Sequence, residues 1–547
     1  MICGEDFVLS SPLFYFIEKW SDYMSFKRLG LMLDCSRDAV RSVSTVKKFI
    51  DIMSKMGYNT LMLYTEDTYE IKNQPYFGYL RGRYSQEEIK EIDAYCAACG
   101  VELIPCIQTL AHLNGMMRWS EYADIVDIGD TLLVGEDKTY ELIDDMLKTV
   151  SETFITNIVH IGMDEAGLLG LGEYRKKNGY TEQKEIMKYH LERVAKIADK
   201  YGLKPLIWSD MLFQFQRCEG TAGDILPQNV TPVYWEYYST EKAHFDEKIA
   251  EHKQFGKPFW FAGALWTWMG FTPHNMYSID ECKAAIQSCR ENGVENIFFT
   301  MWGDDGAETS PFSVLPSMYC AARFAEGEYD DAKIKQGFKE LIGIDFDDFV
   351  LLDIPDITNS EENHGKVTGV NKYTLYNDYF LGIYDSIIDG AKNEIYHKTA
   401  KNLDRLSENS EYRYIFKTVQ SLCNVLAIKN DLGIRTRKAY KSGGKEALQA
   451  LLEDYNKTEN ALKVFYENFR LQWHKENKPF GFEVQDARIG GLILRTQSCR
   501  RRLEAYIAGE IDCIEELEEK ILDPECKEEG KREIVDNAWR RNFLGVL

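Results

Sequence analysis

Asp164 and Glu165 stand side by side at the end of the run Asn157-Ile158-Val159-His160-Ile161-Gly162-Met163-Asp164-Glu165-Ala166. Two adjacent carboxylates at a strand end repel each other and lose solvation, so they cost stability unless chemistry uses them. The chemistry open to such a pair is general acid/base catalysis or stabilisation of a developing charge. The alternative is that they cap the helix that follows. Read as a strand, the run alternates. Val159, Ile161 and Met163 share an apolar face, while His160, Gly162 and Asp164 share a polar or bare one. A barrel strand needs this split, with its apolar side toward covering helices and its polar side toward the barrel mouth.

The elements that would position the pair repeat along the chain. Eight short strand-like runs, at 28–34, 60–67, 102–108, 157–165, 204–210, 232–238, 258–263 and 296–305, alternate with helix-like segments. Helical periodicity spans 40–56, 87–99, 139–154, 182–201 and 279–292, and Gly57, Gly100, Gly202 and Gly293 supply stop signals. The pattern predicts an α/β chain with a parallel (β/α)8 barrel over residues 1–329. A doubly wound open sheet is the structural alternative, but no GxGxxG follows the first strand. From about residue 330 the strand pattern stops. Long amphipathic helices are predicted over 373–391, 400–407, 411–432, 445–473 and 489–507, with further helical segments at 511–541 and a polar linker at 355–370, giving an α-helical C-terminal domain over 330–547.

In such a barrel, active sites form at the C-terminal strand ends. Those ends carry Asp34 to Arg37, Glu66-Asp67, Gln108 to His112, Asp164-Glu165, Trp208 to Asp210, Trp235 to Tyr238, Trp266 to Trp268, and Trp302 to Asp305. One polar strand end follows from capping alone; a ring of them does not.

Composition narrows the function classes. The net charge of −23, from 65 basic and 88 acidic residues, argues against phosphate-backbone binding, so no nucleic-acid partner is expected. No stretch has the apolar length to cross a bilayer, so no membrane partner is expected. The opening residues 1–6 lack the basic start and apolar run of a signal peptide. Thirteen scattered cysteines without a repeated CxxC give no structural zinc and suit free thiols in a reducing cytoplasm. No metal and no cofactor are expected. The long C-terminal helices make a homodimer plausible.

The ring of motifs resembles a known family. His160-Ile161-Gly162-Met163-Asp164-Glu165 resembles the H-x-G-x-D-E signature of family 20 glycoside hydrolases, the exo-β-N-acetylhexosaminidases. Gly30 to Arg37 is similar to that family's opening strand, and Pro105 to His112 to its third-strand segment, with the usual acid and the Pro-Gly before the histidine replaced. Trp302-Gly303-Asp304 resembles its final Trp-Gly-Glu, with Asp for Glu. The likeness covers about residues 26–310, lacks the small α/β domain that many members carry before the barrel, and lies closest to a compact intracellular branch with a helical C-terminus.

The resemblance implies release of terminal β-linked GlcNAc or GalNAc from a glycan by substrate-assisted retaining hydrolysis, an exception to the two-carboxylate scheme. The substrate's own 2-acetamido oxygen attacks C1 and forms an oxazolinium ion. Glu165 would be the general acid and then the base, with a raised pKa. Asp164 would stay ionised and accept from the acetamido N–H, the two acids titrating as a coupled pair. Tyr237 or Tyr238 would hold the acetamido oxygen, with Tyr237 favoured because it is in phase with Trp235. Trp208, Trp266, Trp268 and Trp302 would wall the pocket. Arg37 would donate to the sugar 3- and 4-hydroxyls, and Asp304 or Asp305 would accept from the 4- or 6-hydroxyl. His112 is a substrate-binding candidate or a satisfied loop histidine, His160 a core residue, and Asp210, Glu66 and Asp67 orienting groups. Arg37 could instead pair only with Asp34 or Asp67. Three rival readings stay open: a metal-dependent barrel enzyme using His112, His160, Asp164, Glu165 and Asp210; a sugar-binding pseudoenzyme; and an O-GlcNAc-hydrolase-like barrel, which would use paired aspartates where this chain has Glu165.

Overall fold

A computed structural model of the chain describes residues 26–216, 225–357, 369–406, 408 and 411–522. The opening residues 1–6, most of the linker expected at 355–370, and the helical segments expected beyond 522 lie outside the described residues.

Eight parallel strands close into a barrel: β1 (Arg28–Asp34), β2 (Thr60–Thr65), β3 (Glu102–Ile107), β4 (Ile158–His160), β5 (Lys204–Trp208), β6 (Thr231–Trp235), β7 (Trp260–Ala264) and β8 (Asn296–Met301). Each pairs with its sequence neighbours, and β1 closes on β8 through Arg28–Asn296 to Leu33–Met301. Alternation along the strands separates two cores. Met32, Met62, Tyr64, Ile104, Cys106, Leu206, Trp208 and Phe298 fill the barrel interior. Leu31, Leu33, Leu61, Leu63, Leu103, Val159, Ile207, Ile297 and Phe299 face the covering helices. Among these helices are α1 (Val43–Met56), α2 (Gln86–Ala98), α3 (Asp137–Thr153), α4 (Gln183–Lys200), α5 (Asp210–Gln216), α6 (Lys242–Lys253), α7 (Asn275–Glu291) and α8 (Leu315–Glu326). Their termini follow local chemistry. The Ser42 side chain caps α1 and Gly57 ends it in the left-handed conformation. Ser85 and Glu88 form a reciprocal capping box on α2.

After the barrel the described residues are mainly helical. The dominant pieces are α9 (Lys445–Glu476) and α10 (Phe482–Ala508), packed on each other, with Arg413–Lys429 against α9. The helix predicted over 373–391 is not continuous: it runs from Val370 to Tyr376 and stops. The Asp378 carboxylate accepts the Phe380 and Leu381 N–H groups, each at 2.9 Å, and pairs with Arg495 at 2.6 Å. Buried Lys429 takes the Thr374 and Asn377 carbonyls that a continuing helix would use. Among the described residues no helix is long and apolar enough to cross a membrane.

Candidate active site

Backbone strain concentrates at one end of the barrel. Among the described residues the non-glycine positions with positive φ are Asp38, Leu80, His112, Met163, Glu165, Asp305 and Ala307. All seven lie in loops that leave the C-terminal ends of strands. Each costs about 1–3 kcal/mol and persists only where its surroundings over-determine it.

The strand expected over 157–165 ends at His160. Gly162, Met163 and Glu165 then take φ of 72°, 70° and 51°. Asp164 therefore reaches the pocket from a left-handed turn and not by strand alternation. Gln108, at the end of β3, sets this turn. Its Oε1 accepts the Met163 N–H at 3.1 Å and its Nε2 donates to Asp164 Oδ1 at 2.8 Å. A side chain at Gly162 would strike the Gln108 amide in a conformation that L-residues avoid. Gly162→Ala is therefore expected to cost about 2 kcal/mol or more and to lower kcat together with the melting temperature, as measured by calorimetry and initial rates.

The two acids meet different environments. Asp164 is 13% exposed, and its Oδ2 lies 3.2 Å from His112 Nε2. Burial raises the Asp164 pKa, but the His112 charge and the His112 and Gln108 contacts outweigh it, so the group is held below its ordinary 3.8. Burial likewise disfavours the His112 cation, yet Asp164 holds that imidazole up at about 9. Glu165 has a side chain 63% exposed to the mouth, with Oε2 3.6 Å from His112 Nε2. Its pKa is raised, first by burial of the carboxyl against the pocket and then by the charge of Asp164. One acid is thus held ionised and its neighbour is pushed toward the protonated form. Asp210 accepts the Glu165 N–H at 3.0 Å, and burial and the Asp164 charge push it up to about 7. It orients the Glu165 backbone, not Arg37 or His112.

Across the pocket, Arg37 donates from Nε to Glu66 Oε1 at 3.0 Å and from Nη1 to Asp304. Its guanidinium lies 5.7 Å from the ring centres of both Tyr64 and Trp302. Asp34 does not pair with Arg37: it accepts from Ser36 and, through Oδ2, from the Gly303 N–H at 2.9 Å, which ties β1 to the loop after β8. Asp67 takes Arg81 at 3.0 Å, and not Arg37.

The pocket is lined by Arg37, His112, Asp164, Glu165, Trp208, Trp235, Tyr237, Tyr238, Trp268, Trp302 and Asp304. Two expected members stand elsewhere. Trp266 lies behind Trp268, stacked on it with ring centres 4.0 Å apart, and backs the wall without lining it. Asp305 is outside the lining; Arg488 donates to its carbonyl at 2.5 Å. Its left-handed backbone separates it from the direction Asp304 takes. Of the two tyrosines, Tyr237 is buried, stacks on Trp235 at 5.1 Å and meets Trp268 edge-on at 5.8 Å. Tyr238 is 61% exposed at the rim. Trp235 and Gln108, which the sequence places in the ring of strand ends without a role, belong to the site. Trp235 is the last residue of β6, a position that carried the signal; the Gln108 contacts depend on the turn at 162–165, which residue types do not reveal.

His160 is buried, accepts the Gly162 N–H at Nδ1 and packs on Trp208 with ring centres 4.3 Å apart. Burial pushes its pKa down to about 3, so the ring is neutral. Among the described residues no three His, Cys, Asp or Glu side chains group as metal ligands do.

Known proteins are similar to this chain in sequence. A profile described as "Glycosyl hydrolase family 20, catalytic domain" matches residues 26–251, and one described as "Glycoside Hydrolase 20C C-terminal domain" matches residues 347–536. Hexosaminidase D of Homo sapiens is 26% identical over 335 residues, which cover 56% of this chain and 68% of that protein. Hexosaminidase D of Bos taurus is 26% identical over 339 residues, covering 56% and 95%. A solved family 20 exo-β-N-acetylglucosaminidase from Vibrio harveyi, in complex with N-acetylglucosamine, superposes with a TM-score of 0.45 at 18% identity; the match spans 58% of each chain. With both profiles matched in order, and the signature carboxylates at the mouth of a closed parallel barrel, the chain belongs to glycoside hydrolase family 20.

Proposed function

We propose that the chain is an exo-acting β-N-acetylhexosaminidase that releases terminal non-reducing β-linked GlcNAc or GalNAc through an oxazolinium intermediate. The observation that carries this reading is the split between two neighbouring acids: Asp164 held ionised by His112 and Gln108, and Glu165 raised beside it. Glu165 gives its proton to the glycosidic oxygen as the C1–O bond breaks. The acetamido oxygen forms the new bond to C1 from within the substrate. Asp164 accepts from the acetamido N–H and offsets the positive charge that develops on the ring so formed. Water then attacks C1, Glu165 takes its proton, and the acetamido group is restored. Tyr237 holds the acetamido oxygen; its burial and its stacking on Trp235 support this role over the exposed Tyr238. Exo action is supported by the far wall, where Arg37 bridges Glu66 and Asp304 and leaves charged groups for the hydroxyls of a chain end.

A catalytic unit over 1–329 and a helical unit over 330–547 fit the two matched spans. Action in a reducing cytoplasm fits the cysteines, since every cysteine among the described residues is free.

The test is a set of initial rates on 4-nitrophenyl β-GlcNAc, β-GalNAc and β-glucoside. Cleavage of an acetamido sugar is expected, with the glucoside slower by about 10³-fold or more, as loss of an intramolecular nucleophile implies. Equal cleavage of the glucoside would remove the 2-acetamido group from the mechanism.

A further inference from the structure

Arg37 and Asp304 sit on irregular backbone, next to the left-handed residues Asp38 and Asp305. The turn between α9 and α10 grips the loop after β1 from outside, and the first turns of α10 grip the loop after β8. On the β1 side, the Lys478 N–H donates to the Val40 carbonyl at 2.8 Å and the Ser42 N–H to the Glu476 carbonyl at 2.9 Å. Arg41 reaches Asn477 Oδ1 at 2.7 Å, and a Cβ on Gly481 would collide with the Asp38 carbonyl. On the β8 side, Arg488 donates to the Asp305 carbonyl at 2.5 Å and to Glu308 Oε1 at 3.2 Å, and Gln485 donates to the Gly306 carbonyl at 3.3 Å. Lys372, wholly buried, pairs with the same Glu308 oxygen at 2.9 Å. Arg488 thus reaches the carbonyl of the residue next to Asp304, through a side chain that does not line the pocket.

We propose that Arg488 is a positioning residue: from the C-terminal helices it holds the loop after β8 so that Asp304 meets Arg37, and so sets recognition of the hydroxyls at the non-reducing end of the substrate. This rests on the exo-hexosaminidase reading. An over-determined loop keeps its strained conformation only while its outer contacts remain. The two N–H groups of one guanidinium nitrogen, Arg488 Nη1, serve a carbonyl and a carboxylate together, which a hydrocarbon of similar length does not.

The test uses the full chain with Arg488→Met and Arg488→Lys, on 4-nitrophenyl β-GlcNAc and its 4-deoxy analogue. Arg488→Met is expected to raise KM about tenfold with kcat within about threefold, and to shrink the wild-type penalty for removing the 4-hydroxyl toward one. Arg488→Lys is expected to restore part of that penalty. Hydrogen exchange supplies a readout independent of catalysis: the amides of Gly303, Gly306 and Ala307 are expected to exchange faster in Arg488→Met. Should that variant not fold, Gln485→Met carries the same two readouts. Unchanged exchange at these amides with an unchanged 4-deoxy penalty would overturn the proposal. If the wild type cleaves no acetamido sugar, the functional reading fails, and the exchange measurement alone decides whether Arg488 braces the loop.

Discussion

Replacing Glu165 by Gln is expected to lower kcat/KM on an aryl β-GlcNAc with a poor leaving group by about 10³–10⁴-fold, the scale of a lost general acid. On a dinitrophenyl leaving group the loss in kcat/KM is expected to be far smaller, because that group departs without a proton. The slow step then moves to hydrolysis of the intermediate, which still needs Glu165 as base. The pH profile supplies a second readout. The active form needs Glu165 protonated, and its pKa lies above the ordinary 4.5, so wild-type activity should fall on the alkaline side as this group ionises. That limb should vanish in Glu165→Gln. A profile that keeps it would assign the proton to another group.

Replacing Asp164 by Asn is expected to cost about 10²–10³-fold in kcat, the scale of one preorganised charge aimed at the transition state. The substitution keeps the shape, exchanges one acceptor oxygen for a donor and removes the charge that holds His112 at about 9. The His112 pKa, followed by NMR, is therefore expected to fall toward or below its ordinary 6.5 in Asp164→Asn. The linkage has a sign. A His pKa raised in the folded state stabilises fully below the unfolded value near 6.5, and that contribution is lost as pH rises through about 9. Wild type should lose stability across that alkaline window relative to Asp164→Asn. An unmoved His112 would mean that the 3.2 Å approach to Asp164 carries no charge coupling.

The barrel was legible because eight short strand-like runs alternate with helical segments, several of them closed by glycine. Along β1 and β2 the inward Met32 and Met62 and the outward Leu31, Leu33, Leu61 and Leu63 are all apolar, so the two faces appear only in the structure. The acid pair was legible because two carboxylates at a buried strand end have few uses. What residue types could not reveal are the features set by backbone conformation and by distant sequence. The left-handed turn at Gly162 and Met163 gives no side-chain signal at Met163, and it redirects Asp164 toward Gln108. Trp266 and Trp268 both sit at a strand end, but only the structure shows that one stands behind the other. The end of the helix at Tyr376 depends on Lys429 and Arg495, which lie far along the chain. The grip of Arg488 on the Asp305 carbonyl spans 183 residues of sequence.

The most direct measurement of the central claim, that the substrate's acetamido oxygen is the nucleophile, is kcat/KM on 4-nitrophenyl β-glucosaminides bearing acetyl, fluoroacetyl, difluoroacetyl and trifluoroacetyl groups on the 2-nitrogen. Each fluorine withdraws electrons from the carbonyl oxygen and weakens it as a nucleophile, while the ring, the leaving group and the Arg37–Asp304 wall are unchanged. A steep, monotonic fall across the series is expected. A flat series would contradict the account and place the nucleophile on the protein or on water.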